Sequence, residues 1–162
     1  NGLTLTDGDV TLASGHGLNF AATGDGSGTD SSELFEDYEE GTWTPTLPNG
    51  GTASNNHSSY VKIGKMVYAY VYLTMGSMPN DSLRLSIGGL PYACNSTSDY
   101  YAGGTLGYTG DYNSSIFLQP LVSTGNSYLY FHRNDGNSAA IKNSDVDGAN
   151  RYFIMSVAYR TD

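Results

Sequence analysis

The stretch that decides the fold is the ten-residue run Met66-Val67-Tyr68-Ala69-Tyr70-Val71-Tyr72-Leu73-Thr74-Met75. Successive side chains of a β-strand point to opposite faces, so the aliphatic residues of this run share one face and its tyrosines share the other. The aliphatic face predicts a strand that covers a hydrophobic core. Tyrosine is too apolar to leave fully in water and too polar for a dry core. The tyrosine face therefore predicts a subunit interface or a ligand platform, and we favour the interface.

Strands of similar character flank this run, each bounded by Gly, Asn, Asp or Pro. In two of them the same alternation places Leu129, Phe131, Phe153 and Met155 on a predicted core face. Eight strands at this spacing, in a chain with few helix-forming residues, predict an all-β protein whose main part is an antiparallel, jelly-roll-like β-sandwich. The other predicted strands cover 43–47, 59–63, 83–87, 100–108, 115–122, 127–133 and 151–159.

The N-terminal residues 1–22 follow a different pattern, in which short apolar and polar runs are interrupted by glycine. Strands this short cannot bury their own apolar side chains, so they need partner strands from other chains. We therefore predict the end of an intertwined trimeric β-prism shaft, and expect a piece of a longer polypeptide, since the sequence begins with Asn. The side chains expected to face the threefold axis are Leu3, Leu5, Val10, Leu12, Leu18 and Phe20.

Residues 23–42 are predicted to link this shaft to a head domain over 43–162. The linker begins with Gly, Ser, Thr and Asp, and it continues with the acidic run Glu33 to Glu40. Asp30 and Glu33 have the spacing of a capping box, which predicts a short helical turn. The acidic side chains predict a solvated collar rather than a binding site.

Charge and cysteine content exclude several classes of protein. The chain has 7 Lys+Arg against 16 Asp+Glu, a net charge of −9, and its basic residues are scattered. Such a chain is predicted to bind neither nucleic acid nor an anionic membrane surface. Its apolar runs are too short for membrane insertion. Cys94 is the one cysteine, which excludes an intrachain disulfide, and we predict that it is a small buried hydrophobic residue.

Three motifs then follow one another in a fixed order. They are Glu39-Glu40-Gly41-Thr42-Trp43-Thr44-Pro45-Thr46-Leu47, Ser59-Tyr60-Val61-Lys62-Ile63-Gly64-Lys65-Met66-Val67 and Ser86-Ile87-Gly88-Gly89-Leu90-Pro91. With the glycine-interrupted stretch from Leu12 to Phe20, they resemble the C-terminal region of bacteriophage tail fibre proteins. The resemblance covers Leu12 to Pro91, about half of the chain, and no motif matches beyond Pro91.

This resemblance implies a homotrimer with a β-structured head at the tip of a thin shaft. It also implies a virion component, located at the tail fibre tip, that attaches the phage to a bacterial surface glycan or outer-membrane protein. Because the matching motifs end before the variable loops, the resemblance carries over no receptor-binding residue.

The residues themselves point to one candidate binding region, made by the loops 95–104 and 108–113, which the loop 133–137 could join at the same end of the sandwich. Sugar recognition uses flat aromatic rings that stack on C–H faces, and amides or carboxylates that bind hydroxyl groups. Both kinds of side chain are frequent in these loops. The alternative is that they are ordinary turns of a Tyr-rich β protein. The candidate receptor-binding residues are Asp99, Tyr100, Tyr101, Asp111, Tyr112, Asn134 and Asp135.

No catalytic residue, metal ligand or cofactor is predicted. The three histidines are far apart in sequence, and His16 is interpreted as a turn residue, although three copies on one axis could meet at a metal. Residues 143–148 begin like an EF-hand loop, but Ile154 occupies the position of the closing Glu, so an acidic turn is predicted. The chain also lacks a nucleophile elbow and a phosphate-binding Gly loop with Lys. We therefore predict that it is not an enzyme.

The leading functional prediction is the distal tip of a phage tail fibre, which attaches to the host as a homotrimer by binding a surface receptor, preferably a glycan. The alternative is a monomeric secreted carbohydrate-binding module with the same sandwich. A third possibility is a small polysaccharide hydrolase. The mass in solution separates the first two, because a monomeric module has no use for the short strands of residues 1–22.

Overall fold

The computed structural model describes residues 4–14, 16–19, 34–35, 37–109, 118–133, 139–146 and 151–162. Every strand pairing in these ranges is antiparallel, so the predicted all-β antiparallel fold is confirmed. A single 3-10 turn, Asn143–Asp145, interrupts the strands described here, and no helix in them could cross a bilayer. The strands are β1 Leu18–Asn19, β2 Leu34–Phe35, β3 Tyr38–Gly41, β4 Ala53–Ile63, β5 Met66–Met75, β6 Ser86–Gly88, β7 Tyr101–Thr109, β8 Leu118–Ser123, β9 Tyr128–Arg133 and β10 Arg151–Arg160.

Eight of these strands form one curled sheet in the order β3-β4-β5-β10-β7-β8-β9-β6. The sheet turns at β7, because its first residues, Tyr101 to Gly103, pair with β8, whereas the remainder pairs with β10. The two limbs that meet at β7 pack face to face. Phe131 of β9 and Phe153 of β10 contact each other across the interior, with ring centroids 5.6 Å apart. The core therefore lies between two antiparallel layers.

The alternation of β5 and β10 produces this core. Their inward side chains are at most 4% exposed, as are the inward residues of β9, so the predicted core positions are confirmed. Each large side chain buried in this way contributes about 1.5–3 kcal/mol from removing apolar surface from water. Cys94 is 1% exposed, as predicted for a small hydrophobic residue. The inward residues are Val67, Ala69, Val71, Leu73, Leu129, Phe131, Phe153, Met155, Val157 and Tyr159.

Residues 43–47 do not form the predicted strand, because only Thr46 makes a bridge, to Gly88. Pro45 has no N–H to donate to a ladder, and the chain uses side-chain contacts here instead. The Trp43 indole is buried and donates its N–H to the Tyr70 carbonyl at 3.0 Å. The aromatic signal in this motif thus marks a core anchor rather than a strand.

The predicted helical turn at residues 33–40 is wrong where the structure describes it, because β2 and β3 occupy this segment. β3 pairs with β4, with Tyr38 opposite Ile63 and Gly41 opposite Tyr60. A sheet edge offers backbone partners that an isolated helical turn lacks, so tertiary pairing overrides the local preference. Asp30 and Glu33, the predicted capping pair, lie outside the described residues.

Candidate binding surfaces

Different segments of the chain lie at the two ends of the sheet. At one end β3 begins at Tyr38, next to Ile63 of β4, and Met66 of β5 pairs with Arg160 of β10. β7 also begins there, since the Arg160 N–H donates to the Tyr100 hydroxyl at 3.2 Å. We call this the proximal end. The opposite end, called the loop end, is defined by the strand termini Met75, Thr109, Leu118, Arg133 and Arg151.

The predicted receptor-binding residues fall at both ends. Asp99, Tyr100 and Tyr101 lie at the proximal end, where β7 starts. The nine residues of β7, at about 3.3 Å each, separate Tyr101 from Thr109 by about 26 Å. The other four predicted residues, Asp111, Tyr112, Asn134 and Asp135, lie outside the described residues, in segments whose flanking strand termini belong to the loop end. The segment from Asp99 to Tyr101 therefore lies at the opposite end of the sheet from the strand termini that flank the other four candidates.

The three described candidates differ in backbone conformation, contacts and exposure. Asp99 adopts a left-handed φ of 65° in a turn that the Tyr100 N–H closes onto the Thr97 carbonyl at 3.3 Å. Tyr100 is half-buried, and its carbonyl accepts the Thr124 hydroxyl at 2.8 Å. Tyr101, by contrast, is 58% exposed. Of these three residues, Tyr101 is the one that presents its ring to a ligand or partner.

The acidic segment that contains β3 is joined to the rest of the proximal end by side-chain hydrogen bonds. The Glu39 carboxylate accepts hydrogen bonds from the Tyr60 and Tyr92 hydroxyls. These bonds, Tyr60 first, hold the pKa of Glu39 below its ordinary value, and the Glu39 bond raises the pKa of Tyr92. Buried Lys62 pairs with Asp37 and lies 5.3 Å from the Tyr92 ring centre. These carboxylates therefore tie β3 to the sheet.

The C-terminus is held at the same end. The Asp162 carboxylate accepts the Asn95 amide at 2.6 Å and the Ser96 N–H at 3.1 Å. The bond from the Ser96 backbone is the main cause of a lowered pKa for Asp162. The Tyr159 hydroxyl donates to the Tyr92 carbonyl at 2.8 Å. Sequence patterns missed this network, because its partners are up to 67 positions apart.

The outward side chains of β4, β5, β10 and β7 form one continuous surface, which we call the tyrosine face. Neighbouring positions across the strands place Tyr68 beside Ala158 and Tyr70 beside Ser156. These residues and Gly103 border a groove of about 360 Å³. Tyr68, at 52% exposed, lies beside this groove, and Tyr108, at 55% exposed, lies nearer the loop end. The face combines aromatic walls with a floor of small residues.

The strands of the tyrosine face contain no acidic side chain. None of the 16 acidic residues of the chain lies in β4, β5, β7 or β10. Glu40 of the edge strand β3 borders the face, and its carboxylate accepts the Tyr38 hydroxyl at 2.9 Å. The residues that line the groove include no charged side chain and no amide. The groove is therefore suited to an uncharged occupant.

The possible ion sites have other structural explanations. In the EF-hand-like stretch the Asp145 carboxylate accepts the Lys142 N–H at 2.9 Å, as in an ordinary acidic turn. The Asn143 amide donates to the Asn49 carbonyl at 2.9 Å and to Asp81 at 3.0 Å, while Asp147 lies outside the described residues. The backbone N–H of His16 closes a turn onto Ala13 at 3.0 Å. In the described part of the chain, no three His, Cys, Asp or Glu side chains are grouped as metal ligands.

Comparison with known proteins gives one structural likeness. No protein family model and no curated protein sequence matches this chain. The crystal structure of the Dettilon tailspike protein is similar, with a TM-score of 0.61 and 19% sequence identity. The similarity covers 76% of this chain and 24% of that protein, so the chain spans about a quarter of the length of its structural neighbour. The two proteins share this all-β fold.

Proposed function

We propose that this chain is the distal tip of a phage tail fibre or tailspike, and that it attaches the virion to a bacterial host as a homotrimer. Its receptor is a surface glycan or an outer-membrane protein, with the glycan preferred. The observation that carries the proposal is the fold shared with a tailspike protein. The order of tail-fibre-like motifs between Leu12 and Pro91 supports the same assignment.

The two-ended construction of the sheet supports a tip position. The acidic segment that follows the predicted shaft joins the sheet at the proximal end, through β3. Segments 110–117, 134–138 and 147–150 each adjoin a strand terminus at the opposite end: Thr109 and Leu118, Arg133, and Arg151, respectively. Receptor-binding loops at that end would point away from the shaft. Loops on a rigid scaffold are the usual location of recognition residues.

The N-terminal segment supports the trimer. Its described apolar side chains Leu5, Val10, Leu12 and Leu18 are between 45% and 55% exposed in a single chain. Residues 4–14 form no strand by themselves. Apolar side chains repeated along an exposed segment favour burial against partner chains. Three copies would also strengthen individually weak receptor binding by avidity.

Cell binding tests the attachment role. The labelled full chain is incubated with a panel of bacterial strains and with an array of their surface glycans. We expect binding to a subset of strains, lost in the double variant Asp111→Ala/Tyr112→Ala, in the segment between the strand termini Thr109 and Leu118. Asp99→Gly tests the candidate at the proximal end, where glycine accepts the left-handed φ. We expect this variant to keep binding, because Asp99 lies at the end of the sheet opposite the strand termini Thr109 and Leu118.

Three results would contradict this proposal. The first is a trimer that binds no strain, and the second is equal binding by wild type and the double variant. The third is release of reducing ends from host polysaccharide by this chain. That release would assign cleavage to it and favour the hydrolase instead.

A further inference from the structure

We propose that the tyrosine face is the surface through which the heads of the trimer assemble, with a second copy of this chain seated in the groove beside Tyr68. This inference rests on the proposed function, because it assumes that three chains associate. The new element is the surface through which the chains contact one another. The exposed N-terminal apolar residues are a separate contact, along the shaft.

Charge is the first argument for a second copy as the occupant. Each chain carries a net charge of −9, so copies repel one another wherever acidic side chains meet. An unpaired carboxylate buried in an interface would add a large desolvation cost. β4, β5, β7 and β10 avoid both effects, because they contain no acidic residue. This face can approach another copy without burying a carboxylate.

The chemistry of the groove is the second argument. Its walls are the rings of Tyr68 and Tyr70, and its floor includes Ser156 and Ala158. Tyrosine is enriched at protein interfaces because a rigid apolar ring ends in a hydroxyl that finds a partner. Planar amides and carboxylates, which can each share two hydrogen bonds with sugar hydroxyls, are absent from the described lining, whose polar side chains are hydroxyls. The groove therefore fits a protein side chain better than a glycan.

The size of the face is the third argument. Four strands about 4.8 Å apart and about ten residues long, at about 3.3 Å per residue, cover an area of about 600 Å². A stable interface buries about 800 Å² on each partner. In a closed ring of three, each chain also contacts two neighbours. The tyrosine face thus supplies most of the area that one such contact needs.

The test combines mass and surface labelling on the full chain. Ala158→Glu puts a carboxylate on the floor of the groove, at an exposed position opposite Tyr68. Ala93→Glu makes the same change at an exposed loop position that belongs to none of the four strands of this face, and it serves as the matched control. Light scattering after size exclusion gives the mass of each variant, and circular dichroism checks that each is folded. Hydroxyl-radical labelling with mass spectrometry then reports how accessible Tyr68 and Tyr108 are.

The proposed interface predicts the mass and the labelling rate of each variant. Wild type and Ala93→Glu are trimers, and Ala158→Glu weakens association at least about 100-fold, the effect of burying an uncompensated charge. Labelling of Tyr68 is several-fold slower in the wild-type trimer than in Ala158→Glu. Leu83, which is 52% exposed and lies outside the face, is labelled equally in both and is the internal reference.

The contradicting outcomes separate the two proposals. A wild-type trimer in which Tyr68 is labelled as fast as in Ala158→Glu overturns this interface and leaves the proposed function standing. The same holds if Ala158→Glu stays trimeric but loses cell binding, because the face would then be a receptor site. A wild-type monomer contradicts the trimer itself, and the interface with it.

Discussion

The two faces of β5 differ in what they contact, although their residues alternate within a single strand. Val67, Val71 and Leu73 point inward and are at most 1% exposed, whereas Tyr68 points outward and is 52% exposed. The inward face is covered by the other limb of the same sheet. The outward face is uncovered, aromatic and free of acidic residues in β5 and its two neighbours. One strand therefore serves the core with half of its residues and, in our proposal, a second chain with the other half.

The largest effect is expected on the inward face. Phe153→Ala removes the ring that contacts Phe131 between the two limbs and leaves a cavity at a fully buried position. We expect a loss of about 3–5 kcal/mol in the free energy of unfolding, measured by chemical denaturation. Tyr152→Ala, next in sequence but pointing outward, is the control and should cost far less. Equal losses for both variants would contradict the assignment of the faces.

Two adjacent glycines of β7 give a sharper comparison. A Cβ at Gly104 would lie 2.8 Å from the Ser156 carbonyl oxygen and 3.1 Å from Pro120, whereas at Gly103 its nearest neighbour is Gln119 at 3.8 Å. We therefore expect Gly104→Ala to destabilise by about 1–3 kcal/mol. Gly103→Ala should stay within about 0.5 kcal/mol. Thermal unfolding of the two variants measures the difference, and the reverse order would show that β7 is misassigned.

The smallest effect is expected at β3, where neighbouring acids point to opposite faces. Glu39 is bonded by Tyr60 and Tyr92, which lowers the Glu39 pKa below its ordinary value of 4.5. A lowered folded-state pKa means that the ionised carboxylate stabilises the fold above pH 4.5, and that this stabilisation is lost as pH falls through the folded pKa. Glu39→Gln should therefore lower the melting temperature at pH 7.

The pH dependence and a matched variant check this prediction. The difference between wild type and Glu39→Gln should shrink as the buffer is taken from pH 7 to well below the ordinary Glu pKa. Glu40→Gln changes the neighbouring acid, which bonds only Tyr38 among the contacts described for its side chain, and should cost less at pH 7. A pH-independent difference for Glu39→Gln would contradict the role of the ionised carboxylate.

The sequence alone predicts strands and their core faces where the pattern depends only on neighbouring residues. The alternation of Val67, Ala69, Val71 and Leu73 with tyrosines predicted both the strand and its core face, because the side-chain direction in a strand depends only on residue parity. The same reasoning correctly predicted Leu129 and Phe131 as core. That the tyrosine face is a subunit interface or a ligand platform stays a prediction.

Long-range contacts explain what the sequence did not predict. The run from Glu33 to Glu40 has local helical features, but β3 is determined by its pairing with β4, about 20 positions away. The change of partners along β7 determines that Tyr101 and Thr109 lie at opposite ends of the sheet. No spacing rule separates them, and this is why sequence reasoning placed the 95–104 and 108–113 loops in one region.

The most direct test of the central claim is the mass of the full chain in solution, by light scattering after size exclusion. The claim is that the uncovered apolar surfaces are covered by two further copies of the same chain. A trimer of 17.3 kDa chains predicts a mass of about 52 kDa that persists on dilution to micromolar concentration. A mass of 17.3 kDa would contradict the account and favour the monomeric carbohydrate-binding module.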